Sequence, residues 1–256
     1  ILRFAKPRCF VVENVKGLLS ANNGQAFELI IREFQSSGYF VKYKLLNSSE
    51  FGIPQKRERI FLVAIRKDLS RFVNFKYPAK YPKIFTLRDA LKKGALFNND
   101  VPRTEGQLYP QRKKEILSQV PQGGYWRDLP DNLQREYMRG SYYLGGGKTG
   151  LARRLSWDEP SLTLTCAPAQ KQTERCHPDE TRPLTFREYA RIQTFPDEWK
   201  FCGSLSSIYK QIGNAVPVNL AYAVGRSLVN LLNEICLLYT SPSPRDATLS
   251  RMPASA

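Results

Sequence analysis

Three short polar motifs hold the side chains of this 256-residue chain that are best suited to chemistry. In the first, Glu13 follows an apolar run, Cys9–Val12, where a buried strand would end. Open α/β sheets bind ligands at the carboxyl ends of their strands, and partial burial there would raise the pKa of a carboxyl group and keep a proton available. Glu13 therefore suits proton donation, although a capped loop residue is the plainer alternative.

The second motif is residues 55–59 (QKRER), in which Arg57 and Arg59 stand two positions apart. In an extended segment such residues lie on the same face. Two guanidinium groups on one face suit an anion clamp or a bidentate contact with a base carbonyl. A solvated, charged turn is the alternative.

The third motif is residues 213–217 (GNAVP), which is typical of a turn before a helix. Pro217 is well suited to the first position of that helix. The apolar face predicted for it consists of Ala221, Val224, Leu228 and Leu231.

Regular elements must position these motifs. A helix is predicted from the spacing of Phe27, Ile30, Ile31 and Phe34, with Gly38 as its stop. Strands are predicted at Cys9–Val12, Tyr39–Leu46 and Ile60–Ile65. The order strand, helix, strand, strand predicts half of an α/β sheet.

The composition changes between about residues 78 and 182, where prolines, glycines and short polar segments predict a second domain. Small helices are expected near Leu87–Lys93 and Arg112–Gln119, and a short strand at Ser161–Thr165. A capping box at Thr185 and Glu188 should open a further helix that ends before Pro196.

The chain is strongly basic, with 39 Lys and Arg against 23 Asp and Glu, a net charge of +16. The densest part, residues 66–93, has nine basic residues and two acidic ones. A polyanionic partner is a better explanation than a merely solvated surface, and nucleic-acid phosphate is the best candidate. The hydrophobic content of 42% and the mean hydropathy of −0.42 describe a soluble protein. We expect no membrane association, since no apolar run approaches the ~18 residues of a membrane span.

The five cysteines show no regular spacing. Cys166, Cys176 and His177 could in principle hold a metal, but their spacing fits no standard site, so unpaired cytosolic thiols and no metal are predicted. Residue 1 is Ile, so we expect the sequence to begin inside a gene. Residues 236–256, which include CLLYTSPSPRD, resemble a translated sequencing adapter, and we expect them to be non-native and either disordered or packed by accident.

Together and in this order, the three motifs resemble the later motifs of DNA cytosine-5 methyltransferases. The lead-ins at 7–15 (PRCFVVENV) and 51–54 (FGIP) fit that family, and 185–197 (TFREYARIQTFPD) is the most specific match. The resemblance implies an α/β fold, the second part of a Rossmann-like class I methyltransferase sheet with an inserted, small, irregular, β-rich target-recognition domain. The implied bounds are 1–81 for the catalytic domain, 82–203 for the recognition domain and 204–235 for the return to the catalytic domain.

The activity that the resemblance implies is methyl transfer from S-adenosylmethionine to carbon 5 of a flipped cytosine in double-stranded DNA. Glu13 would contact the cytosine, Arg59 would stabilise it, and Arg57 would support DNA and loop contacts. Asn214 and Ala215 would border the S-adenosylmethionine pocket. Such enzymes typically serve restriction-modification in the cytoplasm of a bacterial or phage-infected cell, and we expect a monomer when complete.

The predicted DNA contacts fall into two groups. The basic stretch that includes Lys76, Lys80 and Lys83 should contact phosphates, and residues 140–175 should read bases in the major groove. The remaining DNA-binding candidates are Gln55, Lys148, Arg153 and Arg154.

The family's Gly-rich cofactor loop and Pro-Cys nucleophile occur nowhere in these residues, and Cys9, inside a strand, is expected to belong to the core. The chain alone is therefore predicted to be inactive, with its first strands exposed along a sheet edge. One alternative is a non-catalytic DNA-binding fragment or a degenerate specificity subunit. Another is the tRNA cytosine methyltransferase branch, which the long region between Arg59 and Thr185 disfavours.

Overall fold

A computed structural model describes residues 2–146 and 148–240 of the chain. The chain divides into two compact units. The first contains residues 1–46, 59–79 and the stretch from 223 onward, and the second contains residues 47–58 and 80–222.

The first unit is built on a three-stranded sheet in the order β1-β4-β2, in which β1 runs antiparallel to β4. The predicted order of strand, helix, strand and strand is confirmed. The elements that lie wholly or mainly in this unit are α1 (Leu2–Ala5), β1 (Cys9–Val15), α2 (Gln25–Ser36), β2 (Tyr39–Asn47), β4 (Glu58–Arg66) and α8 (Val218–Thr240).

The side chains of β4 alternate between two apolar clusters, as the period of a strand requires. Ile60 and Leu62 pack with the predicted face of α2, and Val63 and Ile65 pack with residues of α8 that include Leu231. Each fully buried aliphatic side chain of this kind contributes about 1.5–3 kcal/mol. The central strand that carries Arg59 is therefore held on both faces.

β1 is less buried than its sequence suggests. Val11 is 42% exposed and Val15 is 50% exposed, whereas Cys9 and Val12 are half-buried. The reason is position, because β1 is an edge strand and β4 is its only neighbour in the described sheet. The prediction of a buried strand is wrong for this edge, whereas the predicted exposure of the first strands along a sheet edge is confirmed for β1.

The second unit is mainly helical and irregular. Its elements are β3 (Gln55–Lys56), α3 (Leu87–Leu91), α4 (Gln111–Ser118), α5 (Asp131–Met138), β5 (Ser161–Leu162), α6 (Phe186–Ile192) and α7 (Leu205–Asn214). The capping box of Thr185 and Glu188 is present. Helices α5 and α7 were not predicted.

The expectation of a β-rich second domain is not confirmed. Among the described residues of this unit, the strands are β3 and β5, which are two residues long and pair in parallel. Proline removes a ladder donor and glycine weakens a strand interior, so the composition of this region works against longer strands.

The last helix differs from its prediction in its first residue and in part of its buried face. It begins at Val218, and the carbonyl oxygen of Pro217 accepts the N–H of Ala221 at 3.0 Å. Val224 and Leu231 are buried as predicted, but Ala221 is exposed and Leu220 is buried instead. Cys236–Thr240, which we expected to be disordered or to pack by accident, continue the helix, and residues 241–256 lie outside the described residues.

Length and composition alone would allow the stretch Leu205–Leu238 to cross a membrane, with 22% of its most apolar window buried. The stretch contains two helices separated at Pro217. Core helices of soluble proteins pass the same test, so this finding is weak evidence for a membrane span.

Candidate functional site

Glu13 and Arg59 form an ion pair across two neighbouring strands. In the antiparallel register Glu13 stands opposite Phe61 and Arg59 opposite Val15, so Glu13 and Arg59 are diagonal neighbours on one face. The Nε of Arg59 lies 2.9 Å from Oε1 of Glu13. The Arg59 side chain is 12% exposed and the Glu13 side chain is 28% exposed, so the pair is partly buried but still accessible.

The environment of this pair has two opposing effects on Arg59. Burial lowers the pKa of the Arg59 guanidinium, and the charge of Glu13 and its hydrogen bond raise it. A carboxyl group and a guanidinium held side by side offer complementary hydrogen-bonding groups to a planar polar ligand.

Arg57 does not join Arg59 in a clamp, which corrects the prediction. It is 1% exposed, and its guanidinium donates to three backbone carbonyl oxygens. The acceptors are Leu164 at 3.0 Å, Gly213 at 2.8 Å and Ala215 at 3.2 Å. Its role is therefore to hold the GNAVP turn and the segment after β5, because a buried guanidinium so engaged is not accessible to DNA.

Gln55 is also structural, contrary to its predicted role as a DNA contact. It is fully buried. Its Nε2 donates to Oε1 of Gln193 at 3.1 Å, and its Oε1 accepts the N–H of Leu164 at 3.0 Å. Gln193 in turn donates to the carbonyl oxygen of Ile212 at 2.9 Å.

Gln193 was missed as a contributor to this network. It lies in residues 185–197, the stretch that resembles the family most specifically, but its partner Gln55 lies 138 positions away. No local pattern in the sequence indicates that contact.

Asn214 and Ala215 stand where α7 ends, and the turn around them is tightly held. Asn214 is exposed, and its Oδ1 accepts a hydrogen bond from the thiol of Cys166 at 3.1 Å. A Cβ at Gly213 would lie 2.8 Å from the carbonyl carbon and oxygen of Thr165, so only glycine fits there without movement.

The three residues predicted to read DNA bases have different environments. Arg154 is 5% exposed, and its guanidinium donates to the carbonyl oxygens of Leu117, Val120, His177 and Pro178 and to Oγ1 of Thr181. Since all its groups are engaged inside the fold, its predicted DNA contact is wrong.

Lys148 and Arg153 remain closer to the surface. The Lys148 ammonium donates to the carbonyl oxygens of Ser141 and Leu144, which uses two of its three N–H groups. Arg153 is half-buried, with its guanidinium 6.0 Å from the centre of the Tyr125 ring.

The predicted phosphate contacts are on the surface. Lys76 is exposed in the first unit. In the second unit, Lys80 lies 2.6 Å from Glu50 and Lys83 lies 3.8 Å from Asp89. Exposed ion pairs of this kind contribute only about 0–1 kcal/mol, so they leave both lysines available to a polyanion.

Cys9 and His177 make contacts that stabilise the fold around them. Cys9 packs beside the cluster that contains Val63, and burial raises the pKa of its thiol. Nδ1 of His177 accepts the N–H groups of Asp179 and Glu180. Within residues 2–146 and 148–240, no three His, Cys, Asp or Glu side chains form a group that could hold a metal ion.

Comparison with known proteins gives matches over most of the chain. A family model described as C-5 cytosine-specific DNA methylase matches residues 1–230. Type II methyltransferase M.Eco47II of Escherichia coli is 62% identical over 230 residues, 90% of this chain and 55% of the relative. Type II methyltransferase M.PspPI of Psychrobacter sp. (strain TA137) is 58% identical over 229 residues, 89% of this chain and 55% of the relative. The chain thus spans about half the length of these curated relatives.

A solved structure supports the fold. The Entamoeba histolytica methyltransferase EhMeth has a TM-score of 0.56 at 17% identity, over 88% of this chain and 63% of that chain. At this level of identity the similarity concerns the fold alone, and it assigns the described α/β elements to part of a class I methyltransferase fold.

Proposed function

The chain belongs to the C-5 cytosine-specific DNA methylase family, and from that premise we propose that it is part of a DNA (cytosine-5)-methyltransferase. The complete enzyme would transfer a methyl group to carbon 5 of a cytosine flipped out of double-stranded DNA. Base flipping is required because neither face of a stacked base is accessible. The observation that carries the proposal is the ion pair of Glu13 and Arg59.

Glu13 and Arg59 have the groups that this reaction needs at the base. Addition of a thiolate to carbon 6 of cytosine builds negative charge on the ring, chiefly at nitrogen 3 and oxygen 2. A carboxyl group at nitrogen 3 can donate a proton there, and a guanidinium at oxygen 2 can stabilise the remaining charge. The ion pair, with Nε of Arg59 2.9 Å from Oε1 of Glu13, holds the two groups together at one place on the sheet.

The nucleophile is not assigned to any residue of this chain. Cys9 is unsuited to that role because burial raises the pKa of its thiol, whereas a nucleophilic cysteine needs an accessible thiolate. The chain's contribution to the chemistry is therefore to bind the base and stabilise the charge that develops on it.

S-adenosylmethionine is the methyl donor that we propose, and it would supply an electrophilic sulfonium methyl group. Asn214 would contribute its exposed side-chain amide to that site, and Ala215 would contribute the turn that Arg57 holds. The buried Arg57 and Gln55 would act indirectly, by fixing the backbone on which Asn214 stands.

Double-stranded DNA is the proposed partner, and the charge of +16 supports it. Lys76, Lys80 and Lys83 would contact phosphates, and Lys148 and Arg153 would lie near the bases. By analogy with the Type II relatives, the enzyme would serve a restriction-modification system in the cytoplasm.

A reconstituted enzyme tests the proposal. Residues 1–230 would be joined behind the upstream half of the E. coli relative, and transfer of a labelled methyl group from S-adenosylmethionine to duplex DNA would be measured. We expect transfer to cytosine carbon 5 by the joined protein and none by the 256-residue chain alone. A correctly folded chimera without transfer would contradict the assignment, and transfer by the chain alone would contradict the expectation that the chain is inactive by itself.

A further inference from the structure

A cavity of about 450 Å³ lies beside α4 and α5 in the second unit. Four basic side chains line it, and together they are called the cationic pocket: Arg112, Lys113, Arg139 and Lys171. None of the four is one of the DNA-binding candidates named above, although Lys171 lies within the stretch 140–175 that was expected to read bases. Pro110, Ile116 and Ala169 form its apolar wall.

Two of the four cations already have acidic partners. Arg112 donates to both carboxylate oxygens of Glu136, at 2.7 and 2.6 Å. Lys113 pairs with Glu174, which is fully buried behind the pocket and also accepts the hydroxyl of Tyr137. These interactions use the two carboxylates next to the pocket.

Arg139 and Lys171 have no carboxylate at ion-pair distance in the described part of the chain. Lys171 is half-buried, and its ammonium lies 5.1 Å from the centre of the Tyr137 ring. Burial lowers the pKa of Lys171, the charges of Arg139 and Lys113 lower it further, and the charge of Glu174 partly opposes them. Like charges gathered in a partly desolvated cavity are unfavourable unless an anion neutralises them.

We infer that the cationic pocket binds one phosphate of the DNA backbone, with Arg139 and Lys171 as the groups that contact it. A phosphodiester carries one negative charge and two free oxygens, which matches two cationic donors without carboxylate partners. The cavity and its apolar wall leave room for the adjoining sugars. The assignment rests on the proposed function, since it makes double-stranded DNA the source of the phosphate.

The salt dependence of DNA binding tests the site on the full 256-residue chain. Duplex binding would be measured by fluorescence anisotropy over a range of KCl concentrations. The variant Arg139→Gln/Lys171→Gln should reduce the slope of log affinity against log salt by roughly 0.9, the value for one neutralised phosphate. Its affinity at low salt should fall at least about tenfold, because both charge-assisted donors to the phosphate are removed.

A matched variant separates the pocket from net charge. Lys114 and Lys210 are exposed lysines of the same unit that do not line the cavity. The variant Lys114→Gln/Lys210→Gln removes the same charge and should keep more of the slope and affinity. The charge-preserving variant Arg139→Lys/Lys171→Arg should also keep the slope, provided thermal unfolding shows that all variants fold.

The remaining outcomes identify what has failed. Equal slopes for the pocket variant and the matched variant would overturn the site while leaving DNA binding intact. Failure of the unchanged chain to bind any duplex would contradict both the proposed function and the site. Inorganic phosphate, added at constant ionic strength, distinguishes the other source of the anion. If phosphate binds the unchanged chain and not the pocket variant while DNA slopes stay equal, the pocket takes free phosphate and the inference is wrong.

Discussion

Arg57 donates from Nη2 to the carbonyl oxygen of Gly213 at 2.8 Å, although 156 positions separate the two residues in the chain. The same guanidinium reaches Leu164 and Ala215. Arg57, a charged residue of a motif that was predicted to bind an anion or a base, therefore stabilises a turn instead. The residue that the turn presents is Asn214, the candidate for contact with the methyl donor.

Arg57→Met should destabilise the second unit. The substitution leaves the carbonyl oxygens of Leu164, Gly213 and Ala215 without their donor, and each unsatisfied buried group costs about 1–3 kcal/mol. We expect a decrease of at least about 3 kcal/mol in the free energy of urea unfolding, the sum of the lower values for three such groups. Arg127→Met removes an exposed guanidinium of the same unit and should change stability by less than about 1 kcal/mol. Equal effects of the two substitutions would contradict the clamp.

Two glycine substitutions should have opposite signs. Gly213→Ala places a Cβ 2.8 Å from the backbone of Thr165, and overpacking against backbone costs about 1–3 kcal/mol. Gly225→Ala lies within α8, where a Cβ meets nothing within 4 Å, and alanine should stabilise the helix by up to ~1 kcal/mol. Urea midpoints of the two variants would check both signs. A neutral Gly213→Ala would show that the turn has room to move.

Stability should fall in mild acid because of His177, the chain's only histidine. Burial lowers the pKa of His177 in the folded protein, and its Nδ1 accepts two backbone N–H groups that a proton would displace. The unfolded chain therefore binds more protons than the folded protein below about pH 6.5. As the pH decreases from there to the folded pKa, the free energy of unfolding decreases by up to about 1.4 kcal/mol per pH unit. Comparing urea unfolding of the unchanged chain and His177→Gln at pH 7 and in mild acid checks this. A pH dependence unchanged by the substitution would assign it to other groups.

The basic stretch that includes Lys76, Lys80 and Lys83 can be tested in the same way as the cationic pocket. Changing these three residues to Glu should flatten the slope of log affinity against log salt by about 0.9 for each phosphate that the protein no longer binds. Changing the same three residues to Arg keeps the charge and should preserve the slope. If the Glu variant also preserved it, the phosphates would have to bind elsewhere on the surface.

Patterns of apolar residues predicted the elements better than polar residues predicted the site. The spacing of Phe27, Ile30, Ile31 and Phe34 specified α2, because burial of one helix face depends on local periodicity. The apolar run of β1 predicted burial, and its edge position was expected only through the family resemblance, since exposure of Val11 depends on which strand pairs beside it. Helix α7 was missed although its apolar residues recur at helical spacing.

The residues predicted to function fall into two groups, according to the chemical groups that they contact in the structure. Glu13 and Arg59 meet as a pair of opposite charges, a relationship that their residue types suggest. Gln55, Arg57 and Arg154 bind distant backbone carbonyl and N–H groups, which nearly every residue provides because proline lacks only the N–H, so the sequence does not indicate these interactions. An arginine that binds DNA and one that binds buried carbonyls have the same letter and similar neighbours.

The most direct measurement compares Glu13→Gln with the unchanged protein in the reconstituted enzyme. Glutamine keeps the shape of the side chain but cannot donate a carboxyl proton, so methyl transfer should fall by at least ~10²-fold while affinity for target duplex changes little. Glu33→Gln, which alters an exposed carboxylate that pairs with Arg3 in the same unit, should leave both unchanged. Equal decreases of transfer and of duplex affinity in Glu13→Gln would contradict the proposed role and make Glu13 a structural partner of Arg59.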